Sequence, residues 1–596
     1  MIKLSDYVMN FIADQGVKDV FLLSGGGCMH LVDSLGRCKK LNYICNLNEQ
    51  AVGIAVEAYG QYTNNLGVGL VTTGPGSTNA ITGIAAAYVD STPCLMLSGQ
   101  VKRADFAKQY GVRQMGYQEV DIVSIVKPIT KFAVTVVAPE KIKYYLQKAI
   151  FLATHGKKGP VWLDIPLDVQ ASIIDEDNLE EFNSEKEIQG ELSCNVSENV
   201  KSTIELLNKS KRPCILVGNG VRLSDSDHLF LELVKKLNIP VLATWKAIDF
   251  FDENDPLFFG RPGSIGQRGA NFIQQNCDFL LIIGARLDLG QTGYNHKNFA
   301  AKAKKVMVDI DKTEIDKMNM MIEVKSNIDA KVFIQEFLKQ ISFVQNTQIK
   351  EWFEYCNKMK NKYPVILEEY LQQAEYVNSY AFIDILSHDL NENDLIVPGS
   401  SGSCSEVTMQ GYKIKKGQRL FNNEGFGAMG FGLPASIGAC IASKGRRTIC
   451  INGDGGFQLN IQELETVRRL NLPIKFFIVN NDGYGAITNS QRNYFNGFYV
   501  ASEKNSGMTL ADICKVAGAY GIKSMRINNN GELKEKIKEA LEYDGPVVCD
   551  IMVDPMQPTA PKLMSEKLPD GNMVSKPLED LWPFLDREEF KNNMLE

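Results

Sequence analysis

The chain has 596 residues, 44% hydrophobic and 23% charged, with 64 basic against 71 acidic side chains and a formal net charge of −7. So mild a charge, with no clustered basic stripe, excludes a nucleic-acid-binding surface, and 13 scattered cysteines without a C-x-x-C pair exclude a disulfide scaffold or a cysteine metal site and point to a reducing cytoplasm. The longest apolar runs, such as FLLIIGA at 279–285, fall far short of the ~20 residues of a membrane span.

The N-terminal segment carries Asp6, Asp14 and Asp19 through its apolar positions, which predicts an amphipathic helix and a short strand rather than a signal peptide. Beyond it, short apolar runs alternate with helical stretches: VGLVTT, PCLMLSG, PVWLDIP, PCILVG, FLLIIGA, KVMVDID, RTICING, IKFFIVNN and PVVCDIM. This is the pattern of an α/β fold with doubly wound parallel sheets. Several runs end in Gly, Asn or Asp, where such sheets place their binding loops. Polar stretches at about 172–196 and 345–378 divide the chain into units at 1–175, 195–340 and 380–555, followed by a Pro-punctuated tail at 556–596. Three doubly wound domains and a tail are the expected architecture.

The most informative segment is NGDGGFQLNIQELETVRRLNLPIKFFIVNNDGYG at 452–485. A strand enters GDG, a helix follows, and a second strand ends in NN, so Asp454 and Asn481 come to the carboxyl ends of adjacent strands. One carboxylate, one amide oxygen and a carbonyl after NN, at Gly483, suit a hard divalent cation such as Mg²⁺. Gly453, Gly455 and Gly456 let backbone N–H groups approach phosphates. GDG by itself is also an ordinary strand-to-helix turn.

This segment resembles the diphosphate-binding signature of thiamine-diphosphate (ThDP) enzymes, and other motifs agree in order along essentially the whole chain. LNEQAVGIAVEAYG (47–60) resembles the family's glutamate helix. VTTGPGSTNAITGIAAAYVDSTPCLMLSGQ (71–100), YQEVDI (117–122), GPVWLDIPLDV (159–169) and EGFGAMGFGLPASIGA (424–439) follow. The nearest branch is the acetolactate-synthase-like carboligases. The resemblance implies that Glu49 activates the cofactor by a hydrogen bond to its pyrimidine ring, although a Glu at a helix start also serves the helix dipole. It implies that Gly427 grips the pyrimidine amino group and that Met429 wedges the two rings together. Asn79 is placed at the pyrimidine, and Ser401, Gly402, Ser403, Tyr484, Gly485 and Ala486 at the thiazolium and diphosphate. Gln118 is placed at the reacting carbonyl, with a plain helix-start role as the alternative. In the first glycine-rich turn, LSGGGCMH, Gly25 and Gly26 line the site and His30 is either a proton relay or an ordinary helix-face histidine.

The middle unit resembles the FAD-binding domain of the same branch through VGNGV, TWK, GSIGQRGAN, GARLD and VDID. The residues implied for FAD are Gly218, Gly220, Arg268, Gly284, Arg286, Asp288 and Asp309. A flavin-free domain of the same fold is the alternative, since Gly290 replaces an Arg of the family pattern.

Three departures concern the acceptor. Ser490 stands where anabolic acetolactate synthases carry a Trp, Ala486 where they carry a Met, and Leu167 where a Lys follows DIP. A wider, less anionic acceptor site follows. Together with the tail, it resembles the ThDP/FAD carboligases of branched-sugar pathways, of the yersiniose type. The expected reaction is decarboxylation of pyruvate or a related 2-oxo acid, with transfer of the acyl-anion equivalent to a nucleotide-linked ketosugar. Acetolactate synthesis and non-ligating decarboxylation are the alternatives; a silent paralogue would have lost Glu49 or the metal pair. Because Glu49 and the diphosphate motif lie in different units, the family pattern implies a homodimer at least, and a homotetramer, with the tail a lid or a packed surface segment.

Overall fold

The computed structural model describes residues 1–185, 195–345, 349–400, 402–423, 425–567, 570 and 572–595. The first unit carries β1 (Ile2–Lys3), β2 (Asp19–Leu22), β3 (Asn42–Cys45), β4 (Gly67–Val71), β5 (Cys94–Gln100), β6 (Phe132–Thr135), β7 (Pro160–Pro166) and β8 (Ile173–Ile174). Six of these form a parallel sheet in the order β3-β2-β4-β5-β7-β6, and β1 pairs antiparallel with β8. Every residue of β4, β5 and β7 is buried, because helices cover both faces. The middle unit holds β9 (Pro213–Val217), β10 (Val241–Ala243), β11 (Phe279–Ile283), β12 (Lys304–Asp309) and β13 (Val324–Asn327), in the order β10-β9-β11-β12-β13.

The third unit holds β14 (Leu395–Pro398), β15 (Arg419–Leu420), β16 (Thr448–Gly453), β17 (Ile474–Asn480), β18 (Lys523–Ile527) and β19 (Val547–Met552). Their order, β15-β14-β16-β17-β19-β18, repeats the winding of the first sheet strand for strand. In such a sheet the crevice opens where the winding reverses, outside the carboxyl ends of the strands. That places the functional loops after β2 and β4 in the first unit, after β9 and β11 in the middle one, and after β14 and β16 in the third.

The first and third units share core. Helix Glu49–Thr63 is buried on nearly every side. Its Val52, Ala55 and Val56 join Ile437, Cys440 and Leu464 in one apolar cluster, while Ile54 and Ala58 meet Phe431, Ala435 and Ala439 in another. The partner is helix Gly432–Ala442. The two backbones approach so closely that a Cβ at Gly438 would lie 2.2 Å from the Ala55 carbonyl oxygen.

The tail forms a hairpin of β20 (Ser565–Lys567) and β21 (Met573–Ser575) and then lies along the middle unit. There Asn271 Nδ2 donates to the Leu578 carbonyl at 2.7 Å and Tyr355 donates to the Asn593 carbonyl at 2.7 Å. Nearer its start, Met556 Sδ sits 3.0 Å from an Arg492 guanidinium nitrogen. Among the described residues, no helix is long and apolar enough to cross a membrane.

Candidate active site

At the end of β16 the chain turns through Gly453 into the short helix Asp454–Gln458. Asp454 is 3% exposed; its Oδ1 accepts from Gly455 N–H at 2.8 Å and its Oδ2 from Gly483 N–H at 3.1 Å. The loop after β17 is thereby tied to the loop after β16. Burial pushes the Asp454 carboxyl up to about 7, against the pull of those N–H bonds. Asn481 Oδ1 is buried beside it with no hydrogen-bond partner. A buried acceptor without a donor costs free energy unless a cation or water meets it. One carboxylate and one orphaned amide oxygen are donors that fit a hard divalent cation. Among the described residues, no cluster of three or more His, Cys, Asp or Glu offers a different metal site.

Tyr484 and Met429 lie against this turn. A Cβ at Gly455 would lie 2.4 Å from the Tyr484 ring and 3.7 Å from the Met429 methyl, so the absence of a side chain there keeps a small cradle open. Tyr484 N–H donates to the Ser502 carbonyl at 2.9 Å, and Gly485 and Ala486 open helix Gly485–Tyr494. Gly402 and Ser403 begin helix Gly402–Gly411, with Gly402 in the left-handed region at φ +61°. Ser401 lies outside the described residues. Gly427 is anchored by its N–H to the Asn423 carbonyl at 2.6 Å, and the Gly430 carbonyl after Met429 accepts from Asn460 Nδ2 at 2.9 Å. Gly456 packs against the Asn452 amide.

Glu49 is the first residue of its helix, is 9% exposed, and accepts from Asn79 Nδ2 at 3.0 Å on Oε2. The two residues predicted at the pyrimidine are therefore direct partners. Asn48 caps the helix by accepting from Gln50 N–H at 2.8 Å. Gln118 is held at φ +63°, an unusual backbone for a non-glycine residue. Its carbonyl stacks on Gly74, where a Cβ would come within 2.0 Å. Gln100 Nε2 grips the next turn at the Val120 carbonyl, 2.9 Å away, and Glu119 accepts from Ala107, Met115 and Gly116 N–H. A carboxylate and an amide thus hold the Gln118 loop over TGPG. Gly25 packs on Thr72, Gly26 opens a short 3₁₀ turn, and His30 lies half-buried on the following helix. Burial and nearby Lys3 lower the His30 pKa below its ordinary value, so the ring is neutral near pH 7.

In the middle unit a cavity of about 1130 Å³ opens outside the ends of β9, β11 and β12, bordered by the first and third units as well. Gly220, Gly284, Arg286, Asp288 and Asp309 line it. Gly218 lies beneath, packed on the Gly284 carbonyl. Arg286 donates to the Val89 carbonyl at 2.8 Å and so spans two units at the cavity wall. Burial raises the Asp309 carboxyl to about 6. Arg268 corrects the sequence reading. It is buried away from the cavity and donates to the Leu581 carbonyl at 3.0 Å and the Pro583 carbonyl at 2.6 Å, so it fastens the tail. Nothing local in GQRGAN distinguishes that role, because its partners lie more than 300 residues away.

Two functional-looking residues escaped the sequence reading. Asn452 is 2% exposed and has an Nδ2 without a partner between Gly399 and Gly432. Glu463 reaches from the third unit to the start of the Glu49 helix, and only the RTICINGDGG-to-ELET order hints at it.

Comparison with known proteins agrees with this geometry. Residues 2–125 match the N-terminal TPP (thiamine pyrophosphate) binding domain of thiamine pyrophosphate enzymes, 200–338 their central domain, and 400–551 their C-terminal TPP binding domain. The acetolactate synthase large subunit of Cyanidium caldarium is 32% identical over 559 residues, covering 92% of each chain. That of Pyropia yezoensis is 32% identical over 560 residues, covering 92% of this chain and 91% of its own. Acetolactate synthase 1 of Zea mays, chloroplastic, is 30% identical over 578 residues, covering 94% and 87%. With all three family domains in order and relatives of this identity along nearly the whole chain, the chain belongs to the thiamine pyrophosphate enzymes as an acetolactate-synthase-like carboligase.

Proposed function

We propose that the enzyme decarboxylates pyruvate and joins the remaining two-carbon unit to an acceptor carbonyl, with a second pyruvate as the acceptor best supported by the relatives' names. The observation that carries this reading is the buried Glu49–Asn79 pair, with Oε2 accepting at 3.0 Å, at the head of a helix packed on helix Gly432–Ala442, which follows the glycine loop that bears Met429. When bound, thiamine diphosphate supplies the electron sink for decarboxylation. Asp454, Asn481 and the Gly483 backbone would hold Mg²⁺ and through it the diphosphate, with Gly402, Ser403, Gly453 and Gly455 beside them. Gly427 and Met429 would hold the pyrimidine, and Glu49 would hydrogen-bond its ring nitrogen. Gln118, fixed by Gly74 and Gln100, presents an amide to the substrate carbonyl, where charge develops on oxygen. The middle cavity is large enough for FAD, and Asp309 would meet the ribose and Arg286 the diphosphate. Its role there is structural, because joining two carbonyl compounds with loss of CO₂ involves no net redox change.

A second reading, transfer to a nucleotide-linked ketosugar, is supported by one feature. Ala486 and Ser490 lie one turn apart, both exposed on helix Gly485–Tyr494, with Ser490 Oγ bonded back to the Ala486 carbonyl at 3.0 Å. Neither Ala486 nor Ser490 carries a bulky side chain, and Leu167 carries no charge. Exposed Tyr117, Phe495 and Phe498, at 87%, 63% and 75%, support cover by a second copy of the chain, hence a homodimer or a homotetramer built as a dimer of dimers. Mass spectrometry of products from pyruvate alone, and from pyruvate with nucleotide ketosugars, decides between the readings. Acetolactate alone sustains the first, a sugar adduct the second, and acetaldehyde without either product refutes both.

A further inference from the structure

Glu463 is fully buried in a short turn, Ile461–Glu463, nine residues after Asp454. Its carboxylate is occupied by the first unit. Oε1 accepts from Leu47 N–H at 2.7 Å and from Asn48 N–H at 3.1 Å. Oε2 accepts from Asn46 Nδ2 at 3.0 Å and from Thr466 Oγ1 at 2.7 Å. Leu47 and Asn48 are the two residues immediately before Glu49. Thr466 and Arg469, further along the same segment, both donate to the Cys45 carbonyl. The strand-to-helix turn from Cys45 to Asn48 is thus gripped by three side chains of the unit that would carry the cation site, of which Glu463 alone holds its last three residues.

We infer that Glu463 is a positioning residue that sets where the Glu49 carboxylate stands, an inference that rests on Glu49 as the activating group. Donors just ahead of a helix are ordinarily met by water or a local cap. Here the Asn48 side chain caps Gln50, and the backbone N–H groups of Leu47 and Asn48 are given to a carboxylate from another unit. Adhesion between the units does not need that carboxylate. Val52, Ala55, Ile437, Cys440, Leu464 and Val467 already form an apolar junction around it. A buried carboxylate carries a desolvation cost that an apolar side chain avoids, and directional hydrogen bonds gain what apolar packing lacks: a fixed backbone position. Because Asn79 holds the Glu49 side chain and Glu463 holds its backbone entry, the carboxylate has two independent restraints.

The test compares Glu463→Ala, Glu463→Gln and Glu463→Asp with Glu49→Gln as a control. Gln keeps one oxygen for both backbone N–H groups, and its amide can donate to Asn46 once that side chain turns over, since Asn46 Oδ1 has no partner. Without cofactor, amide hydrogen exchange in peptides spanning 46–50 is expected to quicken at least ~10-fold in Glu463→Ala and to stay within ~3-fold of wild type in Glu463→Gln. With ThDP and Mg²⁺ bound, exchange of the cofactor's C2 proton for deuterium is expected to slow ~10- to 100-fold in Glu463→Ala, as for an ~1 Å misplacement. ThDP affinity is expected to stay within ~3-fold, and Glu463→Gln to recover most of the rate. Should Glu463→Ala not fold, Glu463→Asp, one methylene shorter, is expected to slow C2 exchange at least ~10-fold. C2 exchange within twofold of wild type in the folded Ala or Asp variant overturns the inference, as does a loss matched by an equal loss of ThDP binding. If Glu49→Gln slows C2 exchange and the Glu463 variants do not, only this inference fails; if Glu49→Gln leaves it unchanged, the role of Glu49 fails and this inference with it.

Discussion

Glu49→Gln changes one oxygen to an amide at constant volume, and the structure separates its effect on folding from its effect on rate. The side chain is 9% exposed and holds one hydrogen bond, from Asn79 Nδ2 at 3.0 Å. A Gln oxygen turned to Asn79 preserves that bond in neutral form, so the loss is the charge assistance and the interaction with the helix N-terminus, together about 1 kcal/mol. For units of this size that corresponds to a melting shift of roughly 2–4 °C. The catalytic loss is larger, because an amide cannot give and retake the proton that activates the cofactor. Loss of a positioned acid–base group lowers rates ~10²- to 10⁴-fold, or about 3–5 kcal/mol in the barrier. The assay is CO₂ release from pyruvate at saturating ThDP and Mg²⁺, with ThDP affinity and melting followed on the same preparation. A variant that binds ThDP normally, melts near wild type and retains more than a third of the rate refutes the assignment of Glu49.

Asp454→Asn leaves either Gly455 or Gly483 N–H without an acceptor and removes the anionic cation ligand. A loss of about 1.5–3 kcal/mol is expected, read as an ~10- to 150-fold rise in the Mg²⁺ needed to saturate ThDP binding. Asp309→Leu is expected to yield protein without the absorbance near roughly 450 nm that wild type should carry, with ThDP binding retained; equal flavin content in both would show that Asp309 does not face the nucleotide. Ser490→Trp rebuilds a wall on the exposed face beside Ala486, and is expected to raise the preference for a 2-oxo acid over bulky ketone acceptors by ~10-fold or more in competition experiments. Asp164, fully buried and bonded by Ser98, Gln100 and Thr135, is pushed by burial from an ordinary 3.8 to about 7. The native state therefore holds this proton more tightly than the unfolded chain, and its contribution is fully present below pH ~4 and lost as pH rises through ~7, by about 4 kcal/mol. Asp164→Asn is accordingly expected to gain stability relative to wild type between about pH 5 and pH 8.5, measured by denaturant unfolding at both; a constant difference would contradict the sign.

The strands were legible because parallel strands covered on both faces become uninterrupted apolar runs, as in FLLIIGA, and because their loops end in Gly, Asn or Asp. The turn at Asp454 was legible for the same reason: Asp454 and Asn481 sit at the ends of neighbouring strands, so a one-dimensional spacing maps onto a short distance. Glu49 and Asn79 were found separately by motif, and only the fold shows them hydrogen-bonded. Arg268 was misread because an Arg in a glycine-containing loop carries the same local pattern whether it meets a phosphate or the carbonyls of Leu581 and Pro583. Glu463 was invisible for a related reason. Its partners Leu47 and Asn48 lie more than 400 residues away and offer backbone N–H groups, which no side-chain pattern reports.

The shared winding of the first and third sheets explains why the catalytic parts sit where they do. Each sheet opens its loops at the reversal of strand order, and each sends one helix into the junction: one begins with Glu49, and the other starts just after Gly427, Met429 and Gly430. At Gly438 and Ala55 these helices meet backbone to backbone, with no room for an intervening methyl. A contact made by side chains gives way by rotamer changes, whereas a backbone contact moves only if a whole helix moves. The relative placement of the Glu49 helix and the helix that follows the glycine loop is therefore set by the main chain, and Glu463, Thr466 and Arg469 add polar restraints across the same junction. The proposed acceptor side, by contrast, is formed by side chains on the exposed helix Gly485–Tyr494. On the proposed function, substitutions such as those at Ala486 and Ser490 would alter what the enzyme ligates to without disturbing how it decarboxylates.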